Sequence, residues 1–110
     1  MTEKYLATIN EFLYKKNFYY SPSCEGFYSH SQKVIFHVSP VRRYDAKVWV
    51  HVSLWNAKLG RYISNLYSIK ASDHGFTQRF EKKIYLPTME AYAKQDAENQ
   101  RYYDSLKQAS

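Results

Sequence analysis

A chain of 110 residues, 45% hydrophobic and 24% charged, is large enough for one packed core and too small for two. Twelve tyrosines and six phenylalanines argue against a disordered chain, and the single cysteine, Cys24, excludes an internal disulfide and a cysteine-based zinc site and fits a reducing compartment. The formal net charge of +6 is concentrated in residues 33–87, which hold ten of the sixteen Lys and Arg against Asp45, Asp73 and Glu81. Such a field attracts nucleic acid or an acidic protein surface, although surplus lysine also serves solubility.

The opening MTEKYLATINEF lacks the basic start and apolar run of a secretory signal, and no stretch reaches the ~20 apolar residues of a membrane span. The expectation is a soluble, cytoplasmic protein with no membrane partner.

In chain order, Tyr5, Leu6, Ile9, Phe12 and Leu13 follow the spacing of one helical face over residues 3–16, with Thr2 at the N-cap and Asn17 as the stop. Residues 18–32 read as a loop with one short strand, because SPSCEG is turn chemistry between two aromatic pieces. The run KVIFHVS alternates, with Val34, Phe36 and Val38 on one face and Lys33, Ile35, His37 and Ser39 on the other. VRRYDAK is a basic turn.

In the next strand Val48, Val50, Val52 and Leu54 share a face, which leaves Lys47, Trp49, His51, Ser53 and Trp55 opposite. With Ala57–Gly60 as a four-residue turn, Asn56 pairs with Arg61. Ile63, Tyr67 and Ile69 then join the valines, while Tyr62, Ser64, Leu66 and Ser68 join the tryptophans.

Residues 76–86 alternate well enough to predict a fourth strand, with a helix as the competing reading because Phe76, Phe80 and Ile84 are spaced by four. Pro87 should end that element, and Thr88 should cap a helix from 88 to about Lys107 whose polar second half projects into solvent or frays. The expected architecture is a single α+β domain over residues 1–110: N-terminal helix, antiparallel meander of about four strands, C-terminal helix.

The tryptophan face has two explanations. One helix on each side of the sheet would make it a second small core; both helices on the valine side would leave it a contact surface. As a surface it offers rings for base stacking and cations for phosphates. The candidate binding set is Arg42, Arg43, Tyr44, Lys47, Trp49, His51, Trp55, Arg61, Tyr62 and Lys70. Arg42 and Arg43 could clamp a phosphate through their guanidinium forks, or simply form a solvated hairpin end paired with Asp45.

Catalytic patterns are weak. His30, His37, His51 and His74 lie in no zinc motif, although a cross-strand pairing of His37 with His51 would strengthen a metal reading. Asp73, Glu81 and Lys83 could serve a Mg²⁺ nuclease, and His51, Tyr62 and Arg61 a metal-free ribonuclease. Gly26, Gly60 and Gly75 are too scattered for a phosphate loop, so no cofactor is expected.

The sequence therefore points to a non-enzymatic binding protein acting on nucleic acid or on a nucleic-acid–protein complex. The main alternative is a protein-directed inhibitor or adaptor, of the anti-CRISPR-like type that phages and mobile elements use against host nucleases. A small ribonuclease is the second alternative. Tyr, Trp and Arg are also interface hot-spot residues, so a homodimer is a further possibility.

Overall fold

The computed structural model describes residues 2–23, 26–29, 32–39, 46–72 and 74–109. Helix α1 (Thr2–Lys15) is followed by strands β1 (Tyr19–Ser21), β2 (Gly26–Ser29), β3 (Gln32–Ser39), β4 (Lys47–Asn56) and β5 (Arg61–Lys70). A continuous helical segment then runs through α2 (Phe76–Phe80), a π turn (Glu81–Tyr85) and α3 (Leu86–Ala109). The strands form one antiparallel sheet in meander order, giving an α+β fold. No described helix is long and apolar enough to cross a membrane.

Helix α1 stops where Asn17 predicts. Asn17 takes the left-handed conformation, Phe18 N–H donates to Leu13 O at 2.9 Å and Asn17 N–H to Tyr14 O at 3.0 Å. This is a Schellman ending, and its hydrophobic partners Leu13 and Phe18 are both fully buried. The chain thus turns directly into the core. The described residues between 18 and 29 hold two short strands, not one, because Tyr20 and Phe27 pair cross-strand and continue the apolar row to Phe36.

The β4–β5 hairpin has the predicted register, with Asn56 opposite Arg61 and Trp55 opposite Tyr62. Its turn closes through Gly60, whose φ of 68° suits glycine, and through Asn56 Oδ1, which accepts from Leu59 N–H at 3.1 Å. Val34, Phe36, Val48, Val50, Val52, Leu54 and Ile69 form the buried face. Ile9 and Leu13 of α1 and Phe76, Phe80 and Ile84 of the C-terminal segment complete the same core. Both helices therefore lie on the valine side.

Residues 76–86 are helical, which corrects the fourth-strand expectation. A strand would have carried Gln78 and Lys82 into the core along with Phe76, Phe80 and Ile84. The helix buries those three apolar residues and leaves Gln78 and Lys82 exposed.

Pro87 does not end the helix either. Leu86 N–H bonds Glu81 O five residues back, and this widened turn relieves the clash that a proline ring makes with the fourth preceding carbonyl. Thr88 consequently sits inside the helix, 1% exposed, and its hydroxyl has no hydrogen-bond partner among the described residues. It is not a cap.

The polar second half of α3 is also tied down. Asn99, 8% exposed, accepts from Ala57 N–H at 2.9 Å through Oδ1 and donates from Nδ2 to Trp55 O at 2.9 Å. Gln95 Nε2 donates to the same Oδ1 at 2.9 Å and steadies it. Only from Tyr103 onward is every described side chain of α3 exposed.

Candidate functional site

The face opposite the core is built row by row from strand pairing. Lys47 faces Lys70, and Trp49 lies between Ser39 and Ser68. Next, His51 lies between His37 and Leu66, Ser53 between Ile35 and Ser64, and Trp55 faces Tyr62. Residues directly opposite in an antiparallel ladder share a face, so the described side chains of these rows form one surface.

Exposure shows how much of it is uncovered. Lys33, Lys47, His51, Ser64 and Lys70 are exposed, Leu66 is 53% and Tyr62 40% exposed, and Trp49 and Trp55 are half-buried. Helix α3 reaches this side only at the hairpin end, where Trp55 Nε1 donates to Tyr103 Oη at 3.1 Å. Among the described residues nothing helical covers its centre.

The local chemistry is cationic and aromatic. Lys33 Nζ lies 5.1 Å from the Trp55 ring centroid and Lys47 Nζ 5.8 Å from that of Trp49, both within cation–π range. Trp55 and Tyr62 pack edge to face with centroids 5.3 Å apart. Ser53 and Ser64 share a 2.8 Å hydroxyl hydrogen bond between the rows. The five strands contain no Asp or Glu, and every described carboxylate lies on the helical segments. Trp49 and Trp55, six residues apart on one strand, are separated by about 20 Å.

Of the candidate residues, Lys47, Trp49, His51, Trp55, Tyr62 and Lys70 come together on this face. Arg61 does not: it shares the parity of Ile63 and Ile69 and lies at the hairpin end on the other side of the sheet. Arg42, Arg43 and Tyr44 fall outside the described residues. Lys33 joins the face although it was not in the predicted set; its alternation with Ile35 and His37 carried that signal. Asn99 had none, being an isolated amide in a polar helix.

Among the described residues the catalytic groupings do not assemble. His51 and Tyr62 are about 13 Å apart along the strand and Arg61 points away, beyond the reach of concerted proton transfer. Glu81 and Lys83 belong to the π turn, where residues two apart do not face each other, and Asp73 is outside the described residues. His37 and His51 are cross-strand neighbours, but no group of three or more metal-ligand side chains occurs among the described residues.

Gly26 shapes the edge of this face. A Cβ there would lie 2.9 Å from His37 Nδ1, Ile35 Cγ2 and Phe36 O. A hollow of about 330 Å³ lies elsewhere, between α1 and α2, lined by Lys4, Tyr5, Thr8, Phe76 and Gln78. It gathers no acid–base pair. Comparison with protein-family models, with curated proteins and with solved structures returns no match.

Proposed function

We propose that this protein is a non-enzymatic binding module, acting in the cytoplasm, that engages single-stranded nucleic acid, free or within a nucleoprotein complex, through the open sheet face. The observation that carries this reading is segregation: the rings of Trp49, Trp55 and Tyr62 share a face with Lys33, Lys47 and Lys70, on a sheet free of carboxylates. A strand laid along β4 stacks bases on the rings while its phosphates meet the lysines. The 20 Å between the tryptophans suits a short site, on the order of four nucleotides.

Binding of a labelled single-stranded oligonucleotide, followed by anisotropy across a salt series, tests it. Each phosphate contact contributes about −0.7 to the slope of log K against log salt, so Lys47→Ala with Lys70→Ala makes the slope less negative by about 1.4 if each touches one phosphate. An unchanged slope rejects the lysine assignment.

One observation favours a second reading. Leu66, 53% exposed at the middle of the face, offers nothing to a phosphate and suits an apolar protein partner. The alternative is therefore an inhibitor or adaptor, such as a phage or mobile-element protein directed at a host nuclease, using the same aromatics as hot spots. Tight binding to a protein with no binding of nucleic acid at low salt would select it.

A further inference from the structure

The meander leaves two sheet edges, and they are very unequal. β1 has three residues, whereas β5 at the other edge has ten. Long edges are ordinarily protected by proline, a bulge or an inward charge. β5, RYISNLYSIK, has none of these: its pairing with β4 is unbroken, and its only charges are at its two ends.

The direction of its free peptide groups follows from one bond. Ala71 N–H donates to Ala46 O on the β4 side at 2.8 Å, so odd-numbered residues turn their peptide groups toward β4. Tyr62, Ser64, Leu66, Ser68 and Lys70 turn theirs away from the sheet. In keeping with that parity, Lys70 O accepts from Arg79 Nη1 at 2.8 Å. Arg79 also donates to Ser72 O at 2.7 Å, which closes this end of the edge and leaves residues 62–68 as its open part.

We propose that β5 pairs antiparallel with β5 of a second copy, about a two-fold axis at Leu66 and perpendicular to the sheet. In a two-fold strand pair the outward residues must meet outward residues, which an axis through Leu66 satisfies: the peptide groups of Ser64, Leu66 and Ser68 pair across it, while Lys70 O stays with Arg79. It places Leu66 on Leu66, Ser64 on Ser68 and Tyr62 on Lys70 on the open face, with Ile63 on Ile69 and Asn65 on Tyr67 behind. Apolar meets apolar, hydroxyl meets hydroxyl, and each lysine meets a ring instead of another cation.

Moving the axis to residue 65 sets Leu66 against Ser64 and Arg61 against Ile69, losing this match. The paired sheets form one ten-stranded layer with both tryptophan faces on the same side. A contact of one strand per copy is small, below about 1,200 Å², so association is reversible and concentration-dependent. The proposal does not depend on what the open face binds.

Sedimentation equilibrium of the full chain across a concentration series, together with oxidative cross-linking in a Cys24→Ser background, tests it. The expected results are reversible dimerisation and efficient cross-linking of Leu66→Cys. Little is expected for Ser64→Cys alone, because the two copies of residue 64 are about 13 Å apart along the strand, beyond disulfide reach.

Leu66→Pro removes an outward N–H that an edge strand does not need, and Leu66→Lys places like charges on the axis. Each should weaken association at least about tenfold with the circular dichroism spectrum unchanged. If proline disturbs the strand, the lysine variant at this exposed position decides. A wild-type protein that stays monomeric, equal cross-linking at 64 and 66, or undiminished dimerisation of Leu66→Lys would overturn the proposal.

Discussion

Replacing Asn99 by alanine should cost far more than its place in a polar helix suggests. Its amide holds three hydrogen bonds, to Ala57 N–H, Trp55 O and Gln95 Nε2, and Ala57 is 8% exposed. Truncation leaves the buried Ala57 N–H without its acceptor, worth about 1–3 kcal/mol, and removes the bond to Trp55 O, worth about 1 kcal/mol. The sum is about 2–4 kcal/mol.

For a domain of this size each kcal/mol moves the melting temperature by roughly 4–6 °C, so Asn99→Ala should melt roughly 8–24 °C lower. Asn99→Asp keeps the acceptor for Ala57 but loses the donor to Trp55 O, and should fall between. Thermal melts by circular dichroism read all three proteins. A shift below about 3 °C for Asn99→Ala would refute the view that this amide fastens α3 to the hairpin.

Gly26→Ala should lose about 1–3 kcal/mol, because the new methyl meets Phe36 O, a backbone atom that cannot swing aside, as well as His37; urea unfolding measures it, and a neutral result would contradict the close approach. Alkaline pH should destabilise the fold through two tyrosines. Burial raises the Tyr85 phenol, with Glu81 adding to it, and burial then Asp96 raise Tyr92, against a hydrogen bond with the Lys33 backbone.

The folded chain thus keeps protons that the unfolded chain loses near pH 10. This stability is whole below about pH 10 and is lost as pH climbs through the higher folded values. Melting temperatures from pH 9 upward should fall less steeply for the Tyr85→Phe, Tyr92→Phe double variant than for wild type, and parallel curves would contradict the assignment.

The sheet was legible in the sequence where the period of two was clean. Val48, Val50, Val52 and Leu54 on one face, and Asn56 opposite Arg61, are seen as expected, and so is the end of α1 at Asn17. Alternation misled at residues 76–86 because it counts apolar positions without asking what the intervening members, Gln78 and Lys82, would bury. Pro87 misled because the widening of a helix by a π turn has no sequence signature of its own.

The candidate face was legible as a set of residues but not as an exposed surface. Which side the helices take depends on long-range packing of Phe76, Phe80 and Ile84 against Ile9 and Leu13. No local pattern encodes that choice. Arg61 shows the reverse failure: its charge suggested the site, while its strand parity puts it on the other side.

The most direct test of the central claim is intrinsic tryptophan fluorescence during titration with unlabelled single-stranded oligonucleotides, for wild type, Trp49→Ala and Trp55→Ala. The account predicts quenching that fades steeply with salt. Affinity should fall about 5- to 150-fold on loss of Trp49, corresponding to about 1–3 kcal/mol per stacked base. A flat signal at low salt, or full affinity in both folded variants, would contradict the assignment of this face to nucleic acid.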